Sequence, residues 1–137
     1  MGRWGVGMSE TEKITINLGL VDLGQVDLLV QEGFYSNRTD FIRTAIRNQL
    51  ATHADEVKQT VARKTLVLGL EHYARRDLEA VREAGETLEI KVLGLASIDE
   101  DVSSELARET ISSLTVLGAL RASPAVKSAL KDRIQGS

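Results

Sequence analysis

Strict alternation of apolar and polar residues opens the ordered pattern of this chain. From Lys13 to Leu18 the apolar positions are Ile14, Ile16 and Leu18, with polar residues between them. A period of two is that of a half-buried β-strand, so these positions predict a strand of about six residues, ended by Gly19. Because a lone short strand is not stable in water, we expect it to pair with a second copy of itself.

Helical spacing follows the predicted strand. Asp22 has the position of an N-cap, and Gln25 three residues later completes the form of a capping box. One apolar helical face then contains Leu23, Val26, Leu29 and Val30. Gly33 is placed where a C-terminal glycine closes a helix. The stretch therefore predicts a compact helix ending at a glycine turn.

A second helix is predicted after the connector Phe34-Tyr35-Ser36. Asn37 is its expected N-cap, and Asp40 at the third helical position suits the positive end of the helix dipole. The apolar stripe of this helix comprises Phe41, Ile42, Ala45, Ile46, Leu50, Ala54, Val57 and Val61. The stripe predicts one long helix that runs to about Arg63.

The rear of the chain contains a repeat of 24 or 25 residues. Val67-Leu68-Gly69-Leu70 returns at residues 92–95 and, with alanine in the last place, at 116–119. Each apolar run is followed by a helical pattern: 78–84 before Gly85, 102–111, and a third that begins at the cap pair Ser123-Pro124. Alternating strands and helices predict parallel strands with helical crossovers, in a small α/β sheet or a leucine-rich-repeat-like solenoid.

Composition and charge narrow the possible classes of function. The chain is 42% hydrophobic and 27% charged, with a net charge of −3 and no cysteine. These values are ordinary for a globular protein, and no apolar run approaches the roughly 20 residues of a membrane helix. Residues 1–64 hold eight Lys and Arg against eight Asp and Glu. A nucleic-acid contact in this region would therefore use a few placed groups and no broad basic field.

The front segment resembles the ribbon-helix-helix family of DNA-binding proteins, of the Arc, MetJ and CopG type. The resemblance covers about residues 13–50 and is carried by the alternating KITINL strand, the turn GFYS at 33–36, and the helix start NRTDFIR at 37–43. It implies a dimer in which two strands pair antiparallel and enter the DNA major groove. β-Ribbon readers of the major groove are an established class.

The resemblance also implies which residues contact DNA. Lys13, Thr15 and Asn17 would face the base edges, since Ile14, Ile16 and Leu18 would face the helices. Lys can donate to guanine, Asn can pair with adenine, and Thr can contact a polar edge or a thymine methyl. The start of the second helix, at Asn37, Arg38 and Thr39, would hold a phosphate through its backbone N–H groups.

No other constellation in the sequence indicates chemistry. His53 and His72 are the only histidines, and without cysteine they do not form a usual closed zinc site, so no metal or cofactor is expected. Two charged runs stand out, Arg75-Arg76 after the first repeat and Asp99-Glu100-Asp101 after the second. Both are expected at helix starts on the surface. We see no nucleophile, no catalytic carboxylate pair and no phosphate loop, so an enzyme is not expected.

These observations predict an α+β protein with a flexible leader (residues 1–12), a dimeric ribbon-helix-helix domain (13–64) and an α/β module of three strand-helix repeats (65–137). The module would oligomerise the dimers or take a signal. The expected function is a cytoplasmic, DNA-binding transcriptional regulator, most simply a repressor. Two alternatives remain open: an antitoxin-type autorepressor, and a self-assembling scaffold that uses the front domain only to dimerise.

Overall fold

The computed structural model describes residues 11–135, so ten residues of the predicted leader lie outside the described part. The chain divides into two compact units, Thr11–Thr60 and a second that begins at Val61. In order along the chain, the helices and strands are α1 (Leu20–Gln31), α2 (Arg38–Thr52), α3 (Ala54–Lys64), β1 (Val67–Tyr73), α4 (Arg75–Glu83), β2 (Leu88–Ile98), α5 (Ser104–Thr110), β3 (Ile111–Arg121), α6 (Pro124–Ala129), a 3-10 helix (Lys131–Arg133) and β4 (Ile134–Gln135). The architecture is α+β, as predicted.

Helix α1 begins earlier than the sequence pattern indicated. Gly19 is its N-cap in an extended conformation, and its carbonyl accepts the Leu23 N–H at 2.9 Å. Asp22 therefore lies in the first turn, and the predicted Asp22–Gln25 capping box is wrong. Leu20 and Val21 are already helical, so Asp22 falls in the first turn and not at the cap. Its carboxylate is stabilised there by the positive end of the helix dipole.

The end of α1 follows the prediction at Gly33. Gly33 has a φ of +88°, the left-handed conformation that glycine adopts without steric cost. The Phe34 N–H donates to the Leu29 carbonyl at 2.9 Å, and the Gly33 N–H donates to the Val30 carbonyl at 3.1 Å. This pair of bonds is the Schellman motif, and it satisfies two carbonyls that the helix end would leave open.

The predicted long second helix is interrupted at His53, so it is two helices and not one. The His53 N–H bonds to the Leu50 carbonyl at 3.0 Å, a tight turn that breaks the regular ladder. Helix α3 then has its own charge distribution, with Asp55 and Glu56 in its first turn and Arg63 and Lys64 in its last. That distribution complements the dipole of a separate helix.

Four parallel strands form the sheet of the second unit, in the order β1-β2-β3-β4. The repeated runs lie in register, because Val67 pairs with Val92 and Val92 pairs with Val116. Strands β2 and β3 extend well beyond the four-residue runs. Ile111, which the sequence pattern placed in a helix, is the first residue of β3, since its fully buried β-branched side chain pairs beside Leu88.

The core of this unit lies on one face of the sheet. Helices α4, α5 and α6 connect successive strands and pack against their neighbours on that face. The buried cluster consists of Leu78, Ile90, Val92, Ala96, Ile98, Val102, Leu106, Ala107, Ile111, Leu114, Val116, Val126 and Leu130. Ser123, the predicted cap of the third helix, accepts the Val126 N–H at 3.2 Å and so orders the entry to α6.

A column of three glycines crosses the sheet where the repeats meet. Gly69, Gly94 and Gly118 pair in register, with φ values of +132°, +142° and +120°. A Cβ at Gly94 would overlap the carbonyl oxygen of Gly69, and one at Gly118 would overlap that of Gly94. The repeat therefore requires glycine because of both the backbone conformation and the close approach of the neighbouring strand.

This column predicts a difference between two substitutions of the same kind. Gly69→Ala meets only backbone strain, since its Cβ would have nothing within 4 Å, and should lower the free energy of unfolding by about 1 to 3 kcal/mol. Gly94→Ala has comparable strain and must also displace the Gly69 carbonyl, which adds at least about 1 kcal/mol. Urea denaturation of both variants measures the difference. Equal losses would contradict the close approach of the strands.

Candidate nucleic-acid interface

The segment predicted to contact bases is extended and exposed. Residues 11–19 are in no helix and pair with no other described strand, so the ribbon stays a prediction that needs a second chain. Lys13, Thr15 and Asn17 are all exposed. The alternating apolar residues are exposed as well, Ile14 by 72% and Ile16 by 55%. Both the polar and the apolar side chains of the segment are therefore accessible to solvent.

An apolar groove lies beside this segment within the front unit. It has a volume of about 450 Å³. Its lining comes from the segment, from α1 and from α2: Ile16, Leu18, Asp22, Gln25, Val26, Leu29, Phe41, Ile42, Ala45 and Ile46. Half of the apolar residues in the two helical stripes thus line an open groove.

Almost nothing in the front unit is buried. Val26, at 7% exposure, is the one buried hydrophobic side chain among residues 11–60. Large apolar side chains on all of its elements remain exposed, including Leu28, Phe34, Ile46 and Leu50. A unit of this size cannot offset the conformational entropy of folding without burying more apolar surface.

The start of α2 is ordered by a reciprocal pair of side chains. Asn37, as predicted, is the N-cap, and its Oδ1 accepts the Asp40 N–H at 2.8 Å. Asp40 Oδ2 in turn accepts the Ser36 N–H at 2.9 Å. The N–H groups of Arg38 and Thr39 belong to the first turn, where a helix provides no carbonyl partner. Both residues are exposed, which is compatible with an anion contact at these groups.

The Arg38 side chain has a partner that the sequence did not indicate. Its guanidinium forms two parallel hydrogen bonds with the Asp27 carboxylate, each at 2.8 Å. These bonds hold the pKa of Asp27 below its ordinary value and raise the pKa of Arg38. Asp27 lies eleven residues earlier on α1, so no local pattern pairs the two residues. This pair of hydrogen bonds joins the start of α2 to α1.

The described residues were also compared with the requirements of a metal site and of a membrane span. Within residues 11–135, no three His, Asp or Glu side chains are grouped so that they could hold a metal ion. None of the helices in that range combines the length and the apolar character that crossing a membrane requires.

Comparison with protein families identifies the class of this chain. The model of the ribbon-helix-helix transcriptional regulator family matches residues 9–127. The chain therefore belongs to that family. The match extends far beyond the front segment that carries the sequence resemblance and includes β1 to β3 of the second unit. Comparisons with curated proteins and with solved structures gave no match.

The cap at Asn37 predicts a stability effect. Asn37→Ala should lower the free energy of unfolding by about 1 kcal/mol, because the Asp40 N–H loses its acceptor. Asn48→Ala on the same helix is the matched control. Asn48 is exposed in the helix interior, where alanine is the better helix former, so this variant should be neutral or slightly stabilised. Chemical denaturation separates the two. Equal effects would contradict the capping role.

Proposed function

We propose that this protein is a dimeric, sequence-specific DNA-binding regulator that acts as a repressor. In this proposal, residues 13–18 of two chains pair as an antiparallel ribbon and enter the major groove. The observation that carries the proposal is the front unit's open apolar groove, which leaves Val26 as its one buried hydrophobic side chain. The family assignment supports the same reading.

A second copy would complete the missing core. Pairing of the two segments would turn Ile14, Ile16 and Leu18 of each chain towards the grooves, because alternate residues of a strand point to opposite faces. Backbone N–H and C=O groups of residues 13–18 would gain partners across the ribbon. Dimerisation and ordering of the strand are then one event.

The same alternation would direct Lys13, Thr15 and Asn17 outwards. Two copies would present six polar side chains to the groove, which is wide enough to admit a two-stranded ribbon. Lys13 is suited to guanine and Asn17 to adenine, and Thr15 can contact either a polar edge or a thymine methyl. Sequence specificity would come from these side chains.

Phosphate contacts would position the ribbon. The Arg38 and Thr39 N–H groups, ordered by the Asn37 cap, form an anion site at the positive end of α2. Since the Arg38 guanidinium is held by Asp27, we assign its phosphate contact to the backbone. With eight basic and eight acidic residues in 1–64, the affinity depends on such placed contacts.

The second unit would join dimers into larger assemblies. On the sheet face opposite the helices, Leu68 pairs beside Leu93, which pairs beside Leu117. Leu68 and the neighbouring Leu70 are 69% and 48% exposed. Exposed apolar rows on a parallel sheet are unusual, because such sheets are normally covered on both faces. This face supports homo-oligomerisation through residues 65–137.

The alternatives differ in what the second unit does. An antitoxin segment that folds only on its toxin would lack a core of its own, whereas this unit has a buried cluster across two strands and three helices. A measurement of DNA binding distinguishes the scaffold alternative from the proposed regulator. A cytoplasmic repressor that occludes a promoter needs specific binding, and a scaffold does not.

Substitutions in the ribbon test the reading of bases. Lys13→Ala and Asn17→Ala should each weaken specific binding by about tenfold to a hundredfold, as expected for a lost base contact. Lys58→Ala and Asn48→Ala remove the same side chains elsewhere and should leave binding near wild type. A mobility shift with the DNA upstream of the gene, at two salt concentrations, measures both specificity and phosphate contact.

Unchanged specific binding in both ribbon variants would overturn the ribbon assignment. Absence of any specific binding by the wild-type protein would favour the scaffold alternative. A binding constant insensitive to salt would exclude the phosphate contacts at α2, because neutralised phosphates release counterions.

A charge placed in the groove tests the dimer. Ile46→Asp should dissociate it, because the carboxylate would be buried against a second copy without a partner. Asn48→Asp adds the same charge on an exposed position of α2 and should remain dimeric. Light scattering across a dilution series reports the masses. Equal masses for the two variants would place the dimer interface elsewhere.

A further inference from the structure

The carboxyl ends of three parallel strands bring together charged residues that are far apart in sequence. His72 comes near the end of β1, Asp99 follows β2, and Arg121 ends β3. The two charged runs noted in the sequence, at residues 75–76 and 99–101, reach this same edge.

A cleft occupies this edge. Its larger part has a volume of about 680 Å³, and an adjoining part has about 390 Å³. His72, Asp99 and Asp101 line both parts, so the two are continuous along the edge. The larger volume falls within the range of about 300 to 1,000 Å³ that is typical of small-molecule sites.

Opposite charges line the larger part of the cleft. Arg121 and Lys127 supply basic groups, and Asp99, Glu100 and Asp101 supply carboxylates. The adjoining part repeats the combination, with Arg75 within 3.8 Å of Asp101. A ligand that carried only negative charge would meet three carboxylates, and a purely cationic one would meet the basic side.

A histidine–carboxylate contact and a buried hydroxyl line the same space. His72 Nε2 is 3.1 Å from Asp99 Oδ1, and both side chains are partly exposed. An ionised carboxylate has lone pairs for more than one donor, so Asp99 can accept from a ligand while it remains beside His72. Ser97, only 7% exposed, adds a hydroxyl to the lining.

We propose that this cleft binds a free amino acid. Its carboxylate would lie against Arg121 and Lys127, and its ammonium against Asp99 and Asp101. The two opposite charges on one small molecule match the two kinds of group that the strand ends bring together. Binding itself does not depend on DNA, but the use of the amino acid as a signal rests on the function proposed above.

Thermal shift and calorimetry on the full-length protein test the proposal. The probes are the proteinogenic amino acids, added one at a time, and at least one should raise Tm in proportion to the logarithm of its concentration. The amide of that amino acid lacks the carboxylate, and its N-acetyl form lacks the ammonium. Both analogues should bind about tenfold to a hundredfold more weakly, as expected for a lost charged hydrogen bond.

Paired variants locate the site. Lys127→Ala should weaken binding of that amino acid by about tenfold or more, whereas Lys131→Ala, a nearby exposed lysine outside the cleft, should not. Asp101→Asn should weaken it likewise, with Glu105→Gln on α5 as the unaffected control. Circular dichroism spectra of the variants establish that each is folded, so that a loss of binding is assigned to the cleft.

Three results would overturn the inference: no amino acid stabilises the protein, phosphate or acetate binds as tightly as the amino acid, or Lys127→Ala binds like Lys131→Ala. The mobility shift on wild-type protein keeps the two proposals apart. Amino-acid binding without DNA binding removes the proposed function and leaves the site. DNA binding without amino-acid binding removes the site alone.

Discussion

The front unit has too few residues to bury its own apolar side chains, and the rest of its behaviour depends on this constraint. Its two helices present apolar stripes of ordinary length, and the preceding segment alternates as a strand should. Yet Val26 is the one buried hydrophobic side chain among residues 11–60. Since apolar burial is the main favourable term in folding, such a unit favours association with another surface. In the dimer proposed above, folding of this unit would be coupled to association with the second copy.

The second unit, in contrast, buries a core of its own by stacking a repeated strand-helix element. Each strand-helix repeat covers the sheet on one face, and the glycine column allows the strands to approach closely at Gly69, Gly94 and Gly118. Repetition in register has a second consequence. Because the strands are parallel and adjacent, whatever follows each of them arrives at one edge, which is how the charged residues after β1, β2 and β3 form one cleft.

Local signals in the sequence predicted local structure well. Asn37 as a cap, Gly33 as a helix end and Ser123 before α6 all act through atoms a few residues away, so their roles can be read from neighbours alone. The errors were local too. The cap of α1 is Gly19 and not Asp22, because extended backbone at a glycine ended the segment first. The break at His53 was missed because the apolar stripe continues across it.

The periodicities, the caps at Asn37 and Ser123, the repeat and the family resemblance of residues 13–50 could all be read along the chain, since each is a pattern of residue types and spacings. The fold was needed to identify three other features: the paired hydrogen bonds between Asp27 and Arg38, the short strand β4 that pairs with β3, and the meeting of His72, Asp99 and Arg121. These depend on distances in space between residues that are far apart in the chain, which no local pattern specifies. The predicted base contacts at Lys13, Thr15 and Asn17 fall between the two cases. Their alternation is a property of the sequence, but a common face for them requires a second chain.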